Sequence, residues 1–257
     1  MLRAPHCLRQ NFLPYPLSMT HLSLSPGVSI PRISIVIPAL NEALFIRQTL
    51  LALQPLRRSG HEVIVVDGGS HDATETIAHP FSDHVIRSHR GRARQLNAGA
   101  RIAKGDILLF LHADTTLPES ADRFIIDGMK AVNTYWGRFD VRLSGRQPLL
   151  RIVEWLMNWR SRLTGIATGD QGIFVLRDLF EKVGGFPEID LMEDIALSKL
   201  LRKNSHPLCL SQRVITSSRR WERNGIFRTI LFMWHLRLIY ALGANPRRLA
   251  QLYETLK

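Results

Sequence analysis

Cysteine is nearly absent from this chain: Cys7 and Cys209 are the two among 257 residues. Two distant cysteines make neither a disulfide framework nor a metal site by spacing, so a reducing, cytoplasmic setting is expected. Acidic residues are scarce at both ends. Residues 1–41 hold Arg3, Arg9 and Arg32 and no acid, a net of +3; residues 213–257 hold nine basic residues against Glu222 and Glu254, a net of +7. The ends thus carry ten of the twelve formal positive charges. Residues 1–30 lack the long apolar core of a secretory signal and hold four prolines without a clear period. Segment 1–31 is expected to be a disordered extension outside the fold, and Met19 is an alternative start. Residues 225–242 are apolar, but Arg228, His235 and Arg237 argue against a membrane span. Basic ends suit an anionic membrane surface, a phosphorylated substrate or nucleic acid. With no binding module and no basic helix interleaved with stacking aromatics, nucleic acid is the reading to set aside. There is no internal repeat and no low-complexity tract.

What is present is organised around Ile107 to Leu111, an unbroken apolar run short enough for a strand buried on both faces. It ends in His112, Ala113 and Asp114, so a core strand delivers an imidazole and a carboxylate to its carboxyl end, where open α/β sheets bind ligands. Similar runs are Ile33 to Ile37, stopped by Pro38, and Val63 to Val66, ending in Asp67. His84 to Ile86 reads as a third strand before the organising one. Helical segments lie between them: one from Asn41–Glu42 with Leu44, Ile46, Leu50, Leu51 and Leu53, and one over Arg90 to Ile102. Strands alternating with helices at this spacing predict right-handed βαβ units and a mostly parallel sheet. Further on, the pattern predicts helices over Asp122–Val132, Leu149–Leu163, Glu193–Arg202 and Gly225–Leu242. It predicts strands over Tyr135–Leu143, Ile173–Leu176 and Val214–Ser217.

Several of these junctions carry chemistry. Asp114 is a hard oxygen donor suited to Mg²⁺ or Mn²⁺ on a diphosphate, or it caps the next helix. Asp67 accepts hydrogen bonds from a base or ribose, or it makes the turn that Asp67-Gly68-Gly69 also signals. Asp194 is a general base, or one of two acids, with Glu193, that favour a helix N-terminus. Gly169-Asp170-Gln171-Gly172 is a turn or a floor for an acceptor. Arg90, Arg92 and Arg94 are a solvated face or a phosphate clamp.

The ordered set Val36-Ile37-Pro38-Ala39-Leu40-Asn41-Glu42, Val66-Asp67-Gly68-Gly69-Ser70, Asn97-Ala98-Gly99, Gly105-Asp106-Ile107, Asp114, Gly184-Gly185-Phe186 and Glu193-Asp194 resembles the family 2 glycosyltransferases. The match runs from about Ile33 to Arg202. It further resembles a subgroup with Leu111-His112-Ala113-Asp114-Thr115, Gly169-Asp170-Gln171 and Ser217-Ser218-Arg219-Arg220-Trp221. The resemblance implies a GT-A fold: α/β, Rossmann-like, a mostly parallel sheet flanked by helices, over residues 32–222, with a C-terminal helical extension over 223–257. It implies that Pro38, Glu42 and Asp67 hold the nucleotide; His112 is expected at the ribose or the metal, and Arg94 on the donor. Asp114 holds a divalent metal, Mg²⁺ or Mn²⁺, and Asp194 is the base. Beside these roles, Asp170, Gln171 and Glu193 are expected on the acceptor side, and Arg219 and Arg220 add charge at the diphosphate or face anionic lipid. The first acid of the family's DxD signature is His112 here.

The activity so implied is transfer of a sugar, with inversion, from a nucleotide-diphosphate sugar to an acceptor hydroxyl. Nucleotidyl transfer is the alternative enzyme class, but its glycine-rich loop is missing: Pro38-Ala39-Leu40-Asn41 has no glycine. A non-catalytic nucleotide-sugar-binding protein is the third reading, opposed by the retention of Asp114 and Asp194. The apolar residues of 226–242 bury against the domain or a second copy of the chain, or lie in the plane of an anionic membrane surface beside a lipid-like acceptor.

Overall fold

The computed structural model describes residues 30–254. The expected N-terminal extension lies outside the described residues except for its last two positions.

The strands are β1 (Ile33–Ala39), β2 (Glu62–Asp67), β3 (His84–Arg87), β4 (Ile107–Phe110), β5 (Thr115–Thr116), β6 (Trp136–Leu143), β7 (Ile173–Leu176) and β8 (Leu208–Thr216). They form one sheet in the order β3-β2-β1-β4-β7-β6-β8-β5. β3, β2, β1 and β4 are parallel neighbours, and so are β6 and β8, whereas β7 and β5 oppose the strands beside them. The helices are α1 (Ile46–Ala52), α2 (Gln54–Arg58), α3 (Thr74–Ala78), α4 (Arg92–Ile102), α5 (Ala121–Val132), α6 (Pro148–Thr164), α7 (Arg177–Lys182), α8 (Glu193–Arg202), α9 (Arg219–Asn224), α10 (Ile226–Ala241) and α11 (Pro246–Glu254).

The central strands are dominated by apolar residues because both faces are covered. Ile33, Ile35 and Ile37 of β1 enter one core with α1 and α5, while Val36 enters the other with α4. β4 alternates in the same way, with Ile107 and Leu109 on one side and Leu108 and Phe110 on the other. Helix α4 lies unusually close to the sheet. A Cβ on Gly99 would stand 2.4 Å from Cγ1 of Val36 and 2.9 Å from Cγ2 of Val66, so only glycine permits that approach.

Some expectations are corrected. Pro38 does not stop β1; the strand runs through it to Ala39, and Pro38 pairs with Val66. Ala39 O accepts from Gly68 N on the β2 side, and Val36 O accepts from Leu111 N on the β4 side. Pro38 therefore turns its nitrogen to the β4 side, beyond the last β4 partner, and its missing N–H costs no ladder bond. The first helix starts at Ile46, and Leu44 and Leu51 face water, with Leu44 89% exposed. Strand β8 is longer than expected and pairs with β6 across an irregularity at Phe139/Asp140.

Helix α10 joins the domain through Leu236, which clusters with Ile166, Met192 and Ile195, and through Ile226, which clusters with Leu150 and Val153 of α6. Among the described residues no helix is long and apolar enough to cross a membrane.

Candidate active site

The carboxyl ends of β1, β2 and β4 meet at one sheet edge. After β1 the chain turns at Asn41, whose φ of 55° is a conformation asparagine tolerates better than most residues. Asn41 Oδ1 accepts from His71 N, Asn41 N donates to Ser70 Oγ, and Glu42 N donates to Thr74 Oγ1, so the loops after β1 and β2 are tied together. Asp67 is buried and shapes its own loop: Oδ2 accepts from Gly69 N at 2.9 Å and Ser70 N at 2.8 Å. Gln95 braces both strand ends, donating Nε2 to Ala39 O and Val66 O.

Beyond β4, Ala113 O accepts from Thr49 Oγ1, and Thr115 pairs with Thr216 of β8. That pairing carries α9 to the sheet edge. Arg219, three residues past Thr216, places Nη2 2.8 Å from Glu42 Oε1 and 3.3 Å from Asp114 Oδ2. Its guanidinium also covers the Phe45 ring at 4.4 Å. Burial opposes the Arg219 charge most strongly, but the hydrogen bond to Glu42 together with the charges of Glu42 and Asp114 outweighs it, and the pKa is raised.

The second half of the site comes from α8 and the turn before β7. Met192 opens α8 with φ 70°, a conformation that costs a non-glycine residue energy and clusters at functional sites. It aims Asp194 at the Gly169 turn, where Oδ2 accepts from Gly169 N at 2.8 Å. A small cavity opens between Asp194, Glu193, Gly169, Arg92 and His112. Glu193 is 5% exposed and pairs with Arg92 Nε at 3.7 Å. Burial first, and then the neighbouring Asp194, push its pKa up to about 7. Arg92 Nη2 also meets His112 Nε2. Burial, followed by the charges of Arg92, Arg220 and Arg219, holds the His112 pKa well below its usual value. The ring is thus neutral, accepts at Nε2 and carries its proton on Nδ1. A Cβ on Gly169 would lie 2.6 Å from that Nε2, so this turn needs glycine.

Pro38, Glu42, Asp67, His112 and Asp114 gather at the sheet edge, and Asp170, Glu193 and Asp194 face them from α8 and the turn. Asp170 leaves Oδ1 buried without a hydrogen-bond partner. Arg220 lies over the Tyr253 ring at 4.6 Å while its charge still reaches His112. Two expected residues point elsewhere. Arg94 pairs with Glu188 at 3.5 Å, and Arg92 takes the site, since positions two apart on a helix differ by roughly 200°. Gln171 is fully buried beneath its own turn, with Oε1 accepting from Thr168 N. In the three-residue turn Gly169–Gln171, Asp170 and Gln171 necessarily point to different sides. Gly169 and Gln95 escaped the sequence reading as single functional positions; the glycine signalled only a turn.

The model of glycosyl transferase family 2 matches residues 34–181. The chain belongs to that family. The probable glycosyltransferase YdaM of Bacillus subtilis is 30% identical over 238 residues, covering 83% of this chain and 55% of that protein. TarS of Staphylococcus aureus, solved with UDP-GlcNAc, is 18% identical with a TM-score of 0.59, covering 72% of this chain and 58% of that one. The mannosyltransferase PcManGT of Pyrobaculum calidifontis, solved with GDP-Man and Mn²⁺, is 22% identical with a TM-score of 0.57, covering 89% and 70%. At these identities the two structures speak for the fold, which is GT-A. The chain spans 55% to 61% of the length of the first relatives it matches by sequence.

Among the described residues no group of three or more His, Cys, Asp or Glu side chains is arranged to hold an ion. A divalent ion bound through one or two carboxylates and a substrate diphosphate requires no such group. Asp114 is a carboxylate of that kind at the sheet edge. The arginine cation between Asp114 and Glu42 shows that positive charge is accommodated there.

Proposed function

We propose that this family 2 chain transfers a sugar, with inversion at the anomeric carbon, from a nucleotide-diphosphate sugar to an acceptor hydroxyl. The observation that carries the reading is that Asp194 and His112 line one cavity, with Asp114 two residues beyond His112. The base thus lines the cavity, and the cation-binding carboxylate follows two residues after His112 on its other wall. The nucleotide lies along the carboxyl ends of β1 and β2, against Pro38, Glu42 and the loop built by Asp67. Arg92 and Arg220 bring positive charge to the diphosphate side. Asp114 would hold Mg²⁺ or Mn²⁺, which supplies charge neutralisation for the departing diphosphate. Asp194, fixed by Gly169 N, takes the proton of the attacking hydroxyl. Asp170, with its unpartnered oxygen, is the group left to orient the acceptor. Nucleotidyl transfer lacks support, since the loop after β1 has no glycine to approach a triphosphate. A reducing compartment and an acceptor displayed from a lipid surface complete the reading.

The test is a panel of nucleotide-diphosphate sugars that includes UDP-GlcNAc and GDP-Man, with Mn²⁺ present. The readouts are thermal stabilisation and release of nucleoside diphosphate. At least one donor should stabilise the protein by mass action and be slowly hydrolysed. A panel in which no donor does either overturns the reading.

A further inference from the structure

Two helices leave an apolar face that the fold does not use. On α6, Ile152, Trp155, Trp159 and Leu163 recur at helical spacing and are exposed, and the rings of Trp155 and Trp159 stack at 5.8 Å, 10° from parallel. On α10, Phe227, Leu231, Trp234 and Leu238, with Leu242 at its C-cap, do the same. Trp155, Trp159 and Trp234 are 61%, 51% and 60% exposed. The two helices pack on each other through the cluster of Val153, Met157, Ile226 and Ile230, so the stripes are carried by neighbouring helices. Nine large apolar side chains on one surface exceed the scatter that a water-facing surface normally carries. The opposite side of α10 is already satisfied by Leu236 against Ile166, Met192 and Ile195.

The charge around this face has one sign. Helix α10 contains no Asp or Glu, and Arg223 and Arg228 are exposed beside its stripe; Glu222, in the helix before, is held by Ser218 Oγ at 3.0 Å. The acid of α6, Glu154, is buried, accepting from Leu143 N and pairing with Arg151. We propose that the joint outer face of α6 and α10 docks on an anionic lipid monolayer, with the tryptophans and leucines in the acyl boundary and the arginines on the headgroups. Charge decides between lipid and a second copy. A two-fold contact would set two helices without an exposed acid, and the arginines beside them, against their own copies, whereas anionic headgroups neutralise those arginines.

The docking does not depend on the transfer chemistry. Its consequence does, and rests on the function proposed above. Met192, which opens the helix bearing Asp194, packs in the same cluster as α10. The base thus lies on the order of one helix diameter, ~10 Å, behind the docked face, within reach of a hydroxyl held at the lipid surface.

The experiment is flotation of the full chain with phosphatidylglycerol-containing vesicles and with pure phosphatidylcholine vesicles, at low and high salt. The same runs use Trp155→Ser, Trp159→Ser and Trp234→Ser combined. Binding to the anionic vesicles at low salt is expected, with release by salt, and the triple variant should bind about tenfold or more weakly. Absence of binding at low salt, equal binding to neutral vesicles, or binding unchanged by the substitutions overturns the docking. So does a dimer that the substitutions abolish in a protein that does not float. Nucleotide-sugar hydrolysis in solution, measured on the same samples, should be the same for both proteins. Flotation without any hydrolysis would sink the transfer reading and leave the docking standing.

Discussion

The Arg219 guanidinium stands between two carboxylates, 2.8 Å from Glu42 and 3.3 Å from Asp114. These residues are far apart in the chain and meet because Thr216 of β8 pairs with Thr115 of β5, one residue beyond Asp114. Glu42 and Asp114 end two different parallel strands and would repel if nothing positive lay between them. In the ligand-free protein the cation is an arginine. With a donor bound, the same place is where a diphosphate and its counter-ion would lie.

Arg219→Ala should therefore raise the affinity for Mn²⁺ in the absence of donor, because it removes a competing cation from Asp114. The stability cost should be small, about 1 kcal/mol or less, since the arginine is half exposed. Calorimetric titration with Mn²⁺ alone reads the outcome. Unchanged or weaker binding would mean that Arg219 does not occupy the cation position.

Asp114→Asn should abolish metal-dependent donor binding and leave the melting temperature nearly unchanged, because the side chain sits at a strand end, outside both cores. Donor-induced thermal shifts with and without Mn²⁺ measure this. A variant that keeps the metal-dependent shift would reduce Asp114 to a turn residue.

The parallel half of the sheet was legible because Ile33–Ile37, Val63–Val66 and Ile107–Leu111 feed alternate side chains into two cores and so are apolar throughout except at Ser34. Strand-end candidates such as Asp67 and Asp114 were legible because each directly follows such a run. Three things were not. The pairing of two-residue β5 with β8 is a long-range register that leaves no local pattern, so the meeting of Arg219 with Glu42 and Asp114 was hidden. The choice of Arg92 over Arg94 depends on the rotation of α4, which Gly99 sets by packing on Val36 and Val66. The inward turn of Gln171 depends on a one-turn helix that read as a loop.

Glu193 should give the protein a pH-dependent stability. Its folded pKa, about 7, lies above the ordinary 4.5. Between those values the folded chain binds more protons at this site than the unfolded chain, so stability falls as pH rises. The contribution is complete below about 4.5 and lost by about 7, on the order of a few kcal/mol at most. Glu193→Gln should remove this part of the slope. Urea midpoints of the two proteins across the interval give the difference, and parallel curves would refute the assignment.

Asp194→Asn should keep donor binding and cut turnover about a hundredfold or more, through loss of the general base. The side chain accepts from Gly169 N and Ile195 N. The amide keeps one acceptor oxygen and should cost about 1 kcal/mol of stability. A purely structural role predicts something else: donor binding and turnover falling together as the Gly169 turn loosens against His112. A second readout separates the two. The Asp194 charge is one cause of the raised Glu193 pKa, so neutralising it should lower that pKa and flatten the stability slope between about pH 4.5 and 7, even in the absence of substrate. Lost turnover with retained donor binding and a flattened slope would put the ionised carboxylate next to Glu193 and in the reaction. Normal turnover would remove Asp194 from the mechanism whatever the slope does.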